Sequence, residues 1–232
     1  SRLSDEQFQL MLRTEHGGMN EVLADVSAIT GNPKYLALAQ RFSHRALLEP
    51  LLQHHDQLTG LHANTQIPKV IGFARIAELG GDASWRDAAR FFWNTVVEKR
   101  SLAFGGNSER EHFNPTDDFS SLIESREGPE TCNTYNMLRL SETLFRNEPA
   151  ARYADYYERA MFNHILASQH PAHGGYVYFT PIRPQHYRVY SQPEQCFWCC
   201  VGTGMENHSK YGEFIYAHSA DALWVNLFLA SE

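Results

Sequence analysis

Apolar residues recur every three or four positions along most of this chain, which is the spacing of one face of an α-helix. The segment "GNPKYLALAQRF" carries Gly, Tyr, Ala and Phe at offsets of zero, four, eight and eleven from Gly31, and "GDASWRDAARFF" repeats those offsets from Gly81, fifty residues later. A looser third copy begins at Pro149. Asn32 and Asp82 follow the two glycines, and we expect them to cap the helices that these copies begin.

Further helical runs lie between the copies, at residues 18–29, 64–79 and 131–144. Pairs of helices that recur about every fifty residues predict an array of helical hairpins that closes into a ring. Such a ring leaves a central funnel, and the loops at one end of the funnel would carry the chemistry. From periodicity alone, a plain helical bundle with similar hairpins is the alternative.

Three segments break the helical pattern. Residues 104–129 are polar and rich in Gly and Pro, and a loop of this length in a compact domain is usually functional or disordered. Residues 173–200 have the composition of strand and loop leading into a group of cysteines. The terminal "ALWVNLFLASE" alternates apolar and polar residues like a strand and stops without a partner to pair with, so we expect the chain to be a piece of a longer protein.

Composition narrows the function classes. Apolar residues make up 43% of the 232 residues, which is enough to bury a sizeable core. The net charge is −7 and Lys and Arg form no run, which argues against a nucleic-acid or anionic-membrane partner. No apolar run approaches the ~18 residues that a membrane span requires.

The cysteines admit three interpretations. Cys196, Cys199 and Cys200 crowd into "QCFWCC", and Cys132 lies far upstream in "GPETCNTYN". Two disulfides are possible by number, and Cys196-x-x-Cys199 could be a redox pair, although its usual βαβ setting is not predicted here. The third interpretation is a metal site, in which Glu130 and Cys132 supply two ligands and the adjacent cysteines two more.

Carboxylates and histidines suggest sugar chemistry. Glu111 and Glu130 lie in or beside the long polar loop, and a pair of acids flanking a funnel is what glycoside cleavage requires. Most of the 27 acidic residues are expected to be solvated, which is the alternative for these two. His16 and His62 each precede a predicted helix, where capping or packing is the alternative to a role in binding.

Four motifs together resemble a known enzyme family. The segments "LHANTQIPKVIG", "GGNSEREHFNPTDDF", "ESREGPETCNTYNMLRL" and "FWCCVGTGMENHSKYGEFIY" are similar to those of the bacterial β-L-arabinofuranosidases of glycoside hydrolase family 127 and its relative, family 146. The resemblance runs from about Thr14 to the end of the chain. It implies an all-α catalytic domain, an (α/α)6-barrel that lacks its N-terminal helices here, over residues 1–219. It also implies that residues 220–232 begin a truncated β-sandwich domain.

The resemblance further implies a metal centre and catalytic residues. The family's zinc ligands, one glutamate and three cysteines, match Glu130, Cys132, Cys199 and Cys200. Cys199 would be the nucleophile and Glu111 the acid/base. The sugar-contacting residues of the family match His16, His62 and Tyr178.

This sequence departs from the family pattern at two points. Arg110 stands where the family has a glycine before the acid/base glutamate, which makes Glu109 the rival of Glu111 for that role. Cys196 lies one place away from a further cysteine of the family, and we assign it no role.

The activity expected from the resemblance is a retaining glycoside hydrolase that releases terminal β-L-arabinofuranosyl residues from glycans. A sugar epimerase or polysaccharide lyase with a structural zinc is one alternative, and a non-catalytic carbohydrate-binding fragment is another. The resemblance gives glycans containing L-arabinofuranose as the ligand. It assigns neither an oligomeric state nor a choice between the bacterial periplasm and cytoplasm.

Overall fold

The computed structural model of the chain describes residues 3–80 and 82–231, and these residues are mainly helical. Ten α-helices lie within them: α1 (Asp5–Met11), α2 (Met19–Thr30), α3 (Pro33–Arg41), α4 (Arg45–Leu52), α5 (Ala63–Gly80), α6 (Ala83–Lys99), α7 (Ser120–Glu124), α8 (Thr131–Asn147), α9 (Ala151–Ala160) and α10 (Cys199–Ile215).

The helices predicted from the repeat begin where the capping residues place them. The side chain of Asn32 accepts a hydrogen bond from the Lys34 amide at 3.1 Å, and that of Asp82 accepts one from the Ser84 amide at 2.9 Å. These bonds satisfy amides that have no partner inside the first turn of a helix. Both predicted caps are therefore confirmed, whereas Gly81 lies outside the described residues.

The helices pack as successive pairs. α2 packs on α3, α5 on α6 and α8 on α9, and the first helices of the three pairs also contact each other in the order α2, α5, α8. The middle helix α5 is buried along most of its length, as expected for a helix with neighbours on several sides. This arrangement confirms the predicted repeat of helical hairpins.

The non-helical segments hold short-range pairings rather than regular strands. Residues 173–198, for which strand and loop were expected, form a loop with isolated bridges, among them Glu130 with Phe179 and Val177 with Tyr190. These bridges fix the loop against the start of α8. The end of α9 continues into a π-helical turn, Met161–Ile165.

The end of the chain forms a small hairpin. Strand β1 (Tyr216–His218) pairs antiparallel with β2 (Leu223–Val225), with Ala217 opposite Trp224. The expectation that the terminal strand has no partner was therefore wrong, because the chain turns back on the residues that follow α10. The division at residue 219 stays a prediction, and Glu232 lies outside the described residues. Within the described part of the chain, no helix has the length and apolar character that a bilayer crossing requires.

Candidate metal centre and active site

Two helix N-termini bring the four expected metal ligands together. Glu130 is the residue that precedes the first turn of α8, and Cys132 lies in that turn. Cys199 and Cys200 are the first two residues of α10. The N-terminus of a helix carries a partial positive charge and free amides, which stabilise thiolates and carboxylates placed there.

The four donor atoms form one cluster. The Sγ atoms of Cys199 and Cys200 are 3.8 Å apart, and those of Cys132 and Cys200 are 3.1 Å apart. Glu130 Oε1 lies 3.7 Å from Cys199 Sγ and 3.6 Å from Cys200 Sγ. All four donors lie within 4.8 Å of one another. The cysteines are free thiols, so the arrangement contains neither of the disulfides that the number of cysteines allowed.

These distances fit a tetrahedral zinc ion. With Zn–S near ~2.3 Å and Zn–O near ~2.0 Å, a tetrahedron places sulfur atoms ~3.8 Å apart and oxygen ~3.5 Å from sulfur. Three of the four distances agree with these values, and the Cys132–Cys200 distance is shorter. Glu130 Oε2 is buried and has no hydrogen-bond partner among the described residues. A buried carboxylate oxygen without a partner is costly, and a cation beside it would remove that cost.

The electrostatics of the cluster also favour a cation. Burial raises the pKa of Glu130 to about 8, and the neighbouring Cys199 contributes to the same shift. Hydrogen bonds from Cys132 and Cys200, with a smaller contribution from Tyr178, lower the pKa of the Cys199 thiol. The bond to Cys199 in turn raises the pKa of Cys132. The protein alone thus favours Cys199 as the thiolate of the three.

The two adjacent cysteines differ in accessibility. Cys200 is 1% exposed and Cys132 is fully buried, whereas Cys199 is exposed. Of the three cysteines in the cluster, Cys199 is therefore the one with exposed surface. This difference fits the expectation that one cysteine of the pair reacts while the other only binds metal.

Glu111 lies at the tip of a tight hairpin. The backbones of Glu109 and His112 exchange two hydrogen bonds of 2.9 Å, and the two residues between them have positive φ, 47° at Arg110 and 67° at Glu111. Glycine adopts these angles without strain, which gives a physical reason for a glycine at the position of Arg110 in related sequences. The Glu111 carbonyl accepts a 2.7 Å hydrogen bond from Ala63, which ties the hairpin to α5.

The carboxylate of Glu111 contacts two of the expected sugar-binding residues. It accepts a hydrogen bond from the Tyr178 hydroxyl, and His62 Nε2 lies 3.6 Å from its Oε2. Glu109, the rival acid, points to a different partner, since its carboxylate lies 3.2 Å from Arg110 Nε. The structure thus joins Glu111, rather than Glu109, to Tyr178 and His62.

The two expected histidines have different surroundings. His62 Nδ1 accepts a 3.3 Å hydrogen bond from the Thr65 amide, so this ring caps α5 and keeps Nε2 directed to Glu111. The ring nitrogens of His16 are buried and have no hydrogen-bond partner among the described residues. No hydrogen bond or ion pair within residues 3–80 and 82–231 joins His16 to Glu111 or to the cysteines. Burial lowers the pKa of His16, and the positive charge of its neighbour Lys69 lowers it further.

Sequence reasoning missed Lys69. This lysine is 1% exposed, and its Nζ lies 3.3 Å from Gln66 Oε1, 3.3 Å from His44 Nδ1 and 3.4 Å from the Leu12 carbonyl. Burial lowers the pKa of Lys69 to about 8. A lysine inside the otherwise apolar "IPKVIGF" was the available signal, because helical periodicity puts that position on the inner face of α5.

Two further residues that the sequence did not indicate support the reactive groups. The Asn133 side-chain amide donates a 2.6 Å hydrogen bond to Ser108, a residue with φ of 77° that immediately precedes the hairpin carrying Glu111. The ring of Trp198 packs edge-on against Tyr178, with centroids 5.9 Å apart. The hairpin, Tyr178 and the cysteine helix are thereby held in one arrangement.

Sequence comparisons identify a family. A family model described as "Beta-L-arabinofuranosidase, GH127 catalytic domain" matches residues 1–213. A curated relative, the non-reducing end β-L-arabinofuranosidase of Bifidobacterium longum subsp. longum, is 31% identical over 99 residues, which cover 41% of this chain and 15% of that protein.

Two solved structures share the fold. A GH127 β-L-arabinofuranosidase from Geobacillus stearothermophilus T6 matches with a TM-score of 0.69 and 20% identity, over 90% of this chain and 39% of its own. A second GH127 β-arabinofuranosidase matches with a TM-score of 0.72 and 23% identity, over 91% of this chain and 34% of its own. This similarity confirms the expected (α/α)6-barrel fold class. The chain spans well under half the length of these relatives.

Proposed function

The chain belongs to the catalytic-domain family of the β-L-arabinofuranosidases, glycoside hydrolase family 127, and from that premise we propose that its site releases terminal β-L-arabinofuranosyl residues from glycans with retention of configuration. In this proposal Cys199 is a zinc-bound nucleophile and Glu111 is the acid/base. Glu130, Cys132, Cys199 and Cys200 would hold the zinc ion.

The observation that carries the proposal is that the metal-ligand cluster and the Glu111 hairpin lie next to the same residue, Tyr178. The cluster of one carboxylate and three thiols supplies a nucleophile, and the hairpin supplies a carboxylate that can transfer a proton. Tyr178 connects them, because its hydroxyl donates to Glu111 and its backbone carbonyl lies 4.0 Å from Cys200 Sγ. A site with metal ligands alone would have no use for this second carboxylate beside the exposed thiol.

The first step forms a glycosyl-enzyme intermediate. The thiolate of Cys199 attacks the anomeric carbon, so a carbon–sulfur bond forms while the glycosidic carbon–oxygen bond breaks. Glu111 donates its proton to the leaving oxygen, and the electron pair of the broken bond stays on that oxygen. When zinc is bound, its positive charge lowers the pKa of the coordinating thiols and keeps them deprotonated at neutral pH.

The second step releases the sugar. Glu111, now a carboxylate, takes a proton from water as the water oxygen bonds to the anomeric carbon, and the carbon–sulfur bond breaks to restore the thiolate. Two displacements at one carbon retain its configuration. Tyr178 and His62 orient Glu111 and are placed to contact sugar hydroxyls, and we assign His16 to the same sugar subsite on the basis of the family pattern.

An activity measurement with a stereochemical readout tests the proposal. Incubation of the zinc-loaded protein with an aryl β-L-arabinofuranoside should release L-arabinose, and proton NMR should detect the β-anomer before mutarotation. Release of the α-anomer first would exclude retention. Binding of the glycoside without any release would favour the carbohydrate-binding alternative, and isomerised or unsaturated products would favour the epimerase or lyase.

A further inference from the structure

A cavity of about 450 Å³ opens beside the reactive groups, and neither the metal centre nor the proposed chemistry accounts for it. Its volume is within the ~300–1,000 Å³ range of small-molecule sites. Its lining includes four aromatic residues and two charged ones: Tyr178, Phe179, Tyr187, Trp198, Arg126 and Glu127.

The cavity begins at the residues that carry the chemistry. Tyr178 belongs to its wall and also donates a hydrogen bond to Glu111. Trp198, on another wall, immediately precedes Cys199. The cavity therefore adjoins both the hydrogen-bond partner of the Glu111 carboxylate and the residue that precedes the exposed Cys199.

The cavity lies on the side of the proton donor. Its wall residue Glu127 accepts a 3.0 Å hydrogen bond through its carbonyl from the Arg110 amide, and its carboxylate lies 3.5 Å from Arg110 Nε. Arg110 precedes Glu111 in the hairpin, so these bonds tie this wall to the hairpin that carries the acid. A general acid stands beside the oxygen that it protonates, and the group attached to that oxygen extends to the same side.

The chemistry of the walls indicates an uncharged ligand with an apolar face. Aromatic rings dominate the lining, and Tyr187 is 72% exposed, so its ring is free to meet a ligand. The charged lining residues are Arg126 and Glu127, one of each sign, and together with the imidazole of His186 they supply hydrogen-bonding groups rather than a cluster of like charge. Aromatic rings pack well against the C–H face of a sugar ring, while the two charged side chains can bond its hydroxyls.

We propose that this cavity is the subsite for the leaving group, and that it binds a neutral sugar ring stacked on Tyr187 and Trp198. The inference rests on the proposed glycosidase function for the orientation of the substrate. The binding of a sugar in the cavity does not depend on turnover, so binding and hydrolysis are tested separately.

The binding test uses saturation-transfer NMR with methyl β-D-galactopyranoside as the neutral probe and D-galacturonate as the anionic probe. We expect transfer to the galactoside in the wild type and in Tyr187→Phe, which keeps the ring. In Tyr187→Ala the transfer should fall several-fold, and Phe162→Ala, an exposed aromatic on the π-helical turn outside the cavity lining, should match the wild type. No transfer in the wild type, equal transfer in Tyr187→Ala, or preference for galacturonate would overturn the proposal.

The kinetic test compares methyl β-L-arabinofuranoside with a disaccharide in which L-arabinofuranose is linked to a neutral pyranose. Tyr187→Ala should lower kcat/KM for the disaccharide by roughly 3- to 10-fold, as expected for one aromatic contact, mainly through KM. The methyl glycoside, which has no ring in the cavity, should be unaffected. Equal losses on both substrates would contradict the leaving-group assignment. Absence of hydrolysis with intact galactoside binding would contradict the proposed function and leave the sugar site standing.

Discussion

Tyr178 donates a hydrogen bond from its phenol to the carboxylate of Glu111, 67 residues earlier in the chain. The backbone of the same tyrosine accepts a 3.1 Å bond from the Thr131 amide, between the metal-ligand positions Glu130 and Cys132. One residue therefore joins the proposed proton donor to the start of α8. This connection couples the position of the acid to that of the proposed metal site.

Replacing Tyr178 by Phe should weaken catalysis without loss of zinc. The variant loses a hydrogen bond to a charged group, which is worth ~1.5–3 kcal/mol, so kcat/KM should fall by roughly 10- to 100-fold. Metal analysis should still give about one zinc per chain. Tyr176→Phe is the matched control on the same segment, since that ring stacks on His208 away from Glu111. Equal losses in both variants would contradict a direct role for Tyr178.

Glu111 and Glu109 provide a matched pair for the acid/base assignment. Glu111→Gln should lower the rate by roughly 10²–10⁴-fold because it cannot transfer a proton, while the metal ligands are unchanged. A substrate with a good leaving group needs no proton and should recover the first step. Glu109→Gln, which alters the ion pair with Arg110, should have a small effect. If Glu109→Gln causes the kinetic loss, or Glu111→Gln removes the metal, the assignment is wrong.

The metal centre gives the third prediction. The protein should hold about one zinc per chain, and X-ray absorption should show three sulfur ligands near ~2.3 Å and one oxygen ligand. Cys132→Ser and Glu130→Gln should reduce the zinc content and lower the unfolding temperature. Cys196→Ser should do neither, because Cys196 is exposed and outside the cluster. A disulfide through Cys132, Cys199 or Cys200 in a fresh, zinc-loaded sample would rule out this centre.

The buried Lys69 predicts a pH dependence of stability. Its pKa is lowered from 10.5 to about 8 by burial, so between these pH values the unfolded chain holds a proton that the folded chain has released. The free energy of unfolding should therefore rise with pH across this window, by up to about 3 kcal/mol from this one group. Below pH 8 the ammonium is charged in both states, and the cost of burying it is present in full.

Lys69→Met isolates this contribution, because every other titrating group is common to both proteins. The stability of the wild type relative to Lys69→Met should increase between pH 8 and 10.5, as measured by urea unfolding at a series of pH values. Lys34→Met, which alters an exposed lysine on α3, is the control and should show no such trend. A constant difference between wild type and Lys69→Met would mean that Lys69 is not desolvated in solution.

The helices could be predicted from the sequence because local signals agree with their final environment. Asn32 and Asp82 cap helices where the repeat placed them, and the helical runs predicted at 18–29, 64–79 and 131–144 correspond to α2, α5 and α8. The hairpin at Glu109–His112 could not be predicted, since Arg110 and Glu111 adopt angles that favour glycine. Their conformation is imposed by backbone hydrogen bonds to Ala63 and Glu127, and both of these residues lie outside the turn.

The candidate site was only partly predictable. Spacing alone left the cysteines between disulfide, redox and metal interpretations, because their proximity arises when two helices that begin 68 residues apart in the sequence start at the same place in the fold. The resemblance to the family supplied the ligand set, and the structure brought those four residues together. Lys69 was missed because a lysine is normally placed at the surface, and here the packing of the α1–α2 segment over α5 buries it.

The central claim is that Cys199 is the nucleophile, and affinity labelling tests it most directly. The zinc-loaded protein would be treated with a haloacetamide-bearing β-L-arabinofuranose analogue and mapped by peptide mass spectrometry. Cys200 is the internal control, since it belongs to the same cluster but is 1% exposed. Cys196 is the control for an exposed thiol outside the cluster. The account predicts a label on Cys199 alone, blocked by free L-arabinose, and loss of turnover in Cys199→Ser with the fold retained. A label on Cys200 or Cys196, or an active enzyme that acquires no label, would contradict it.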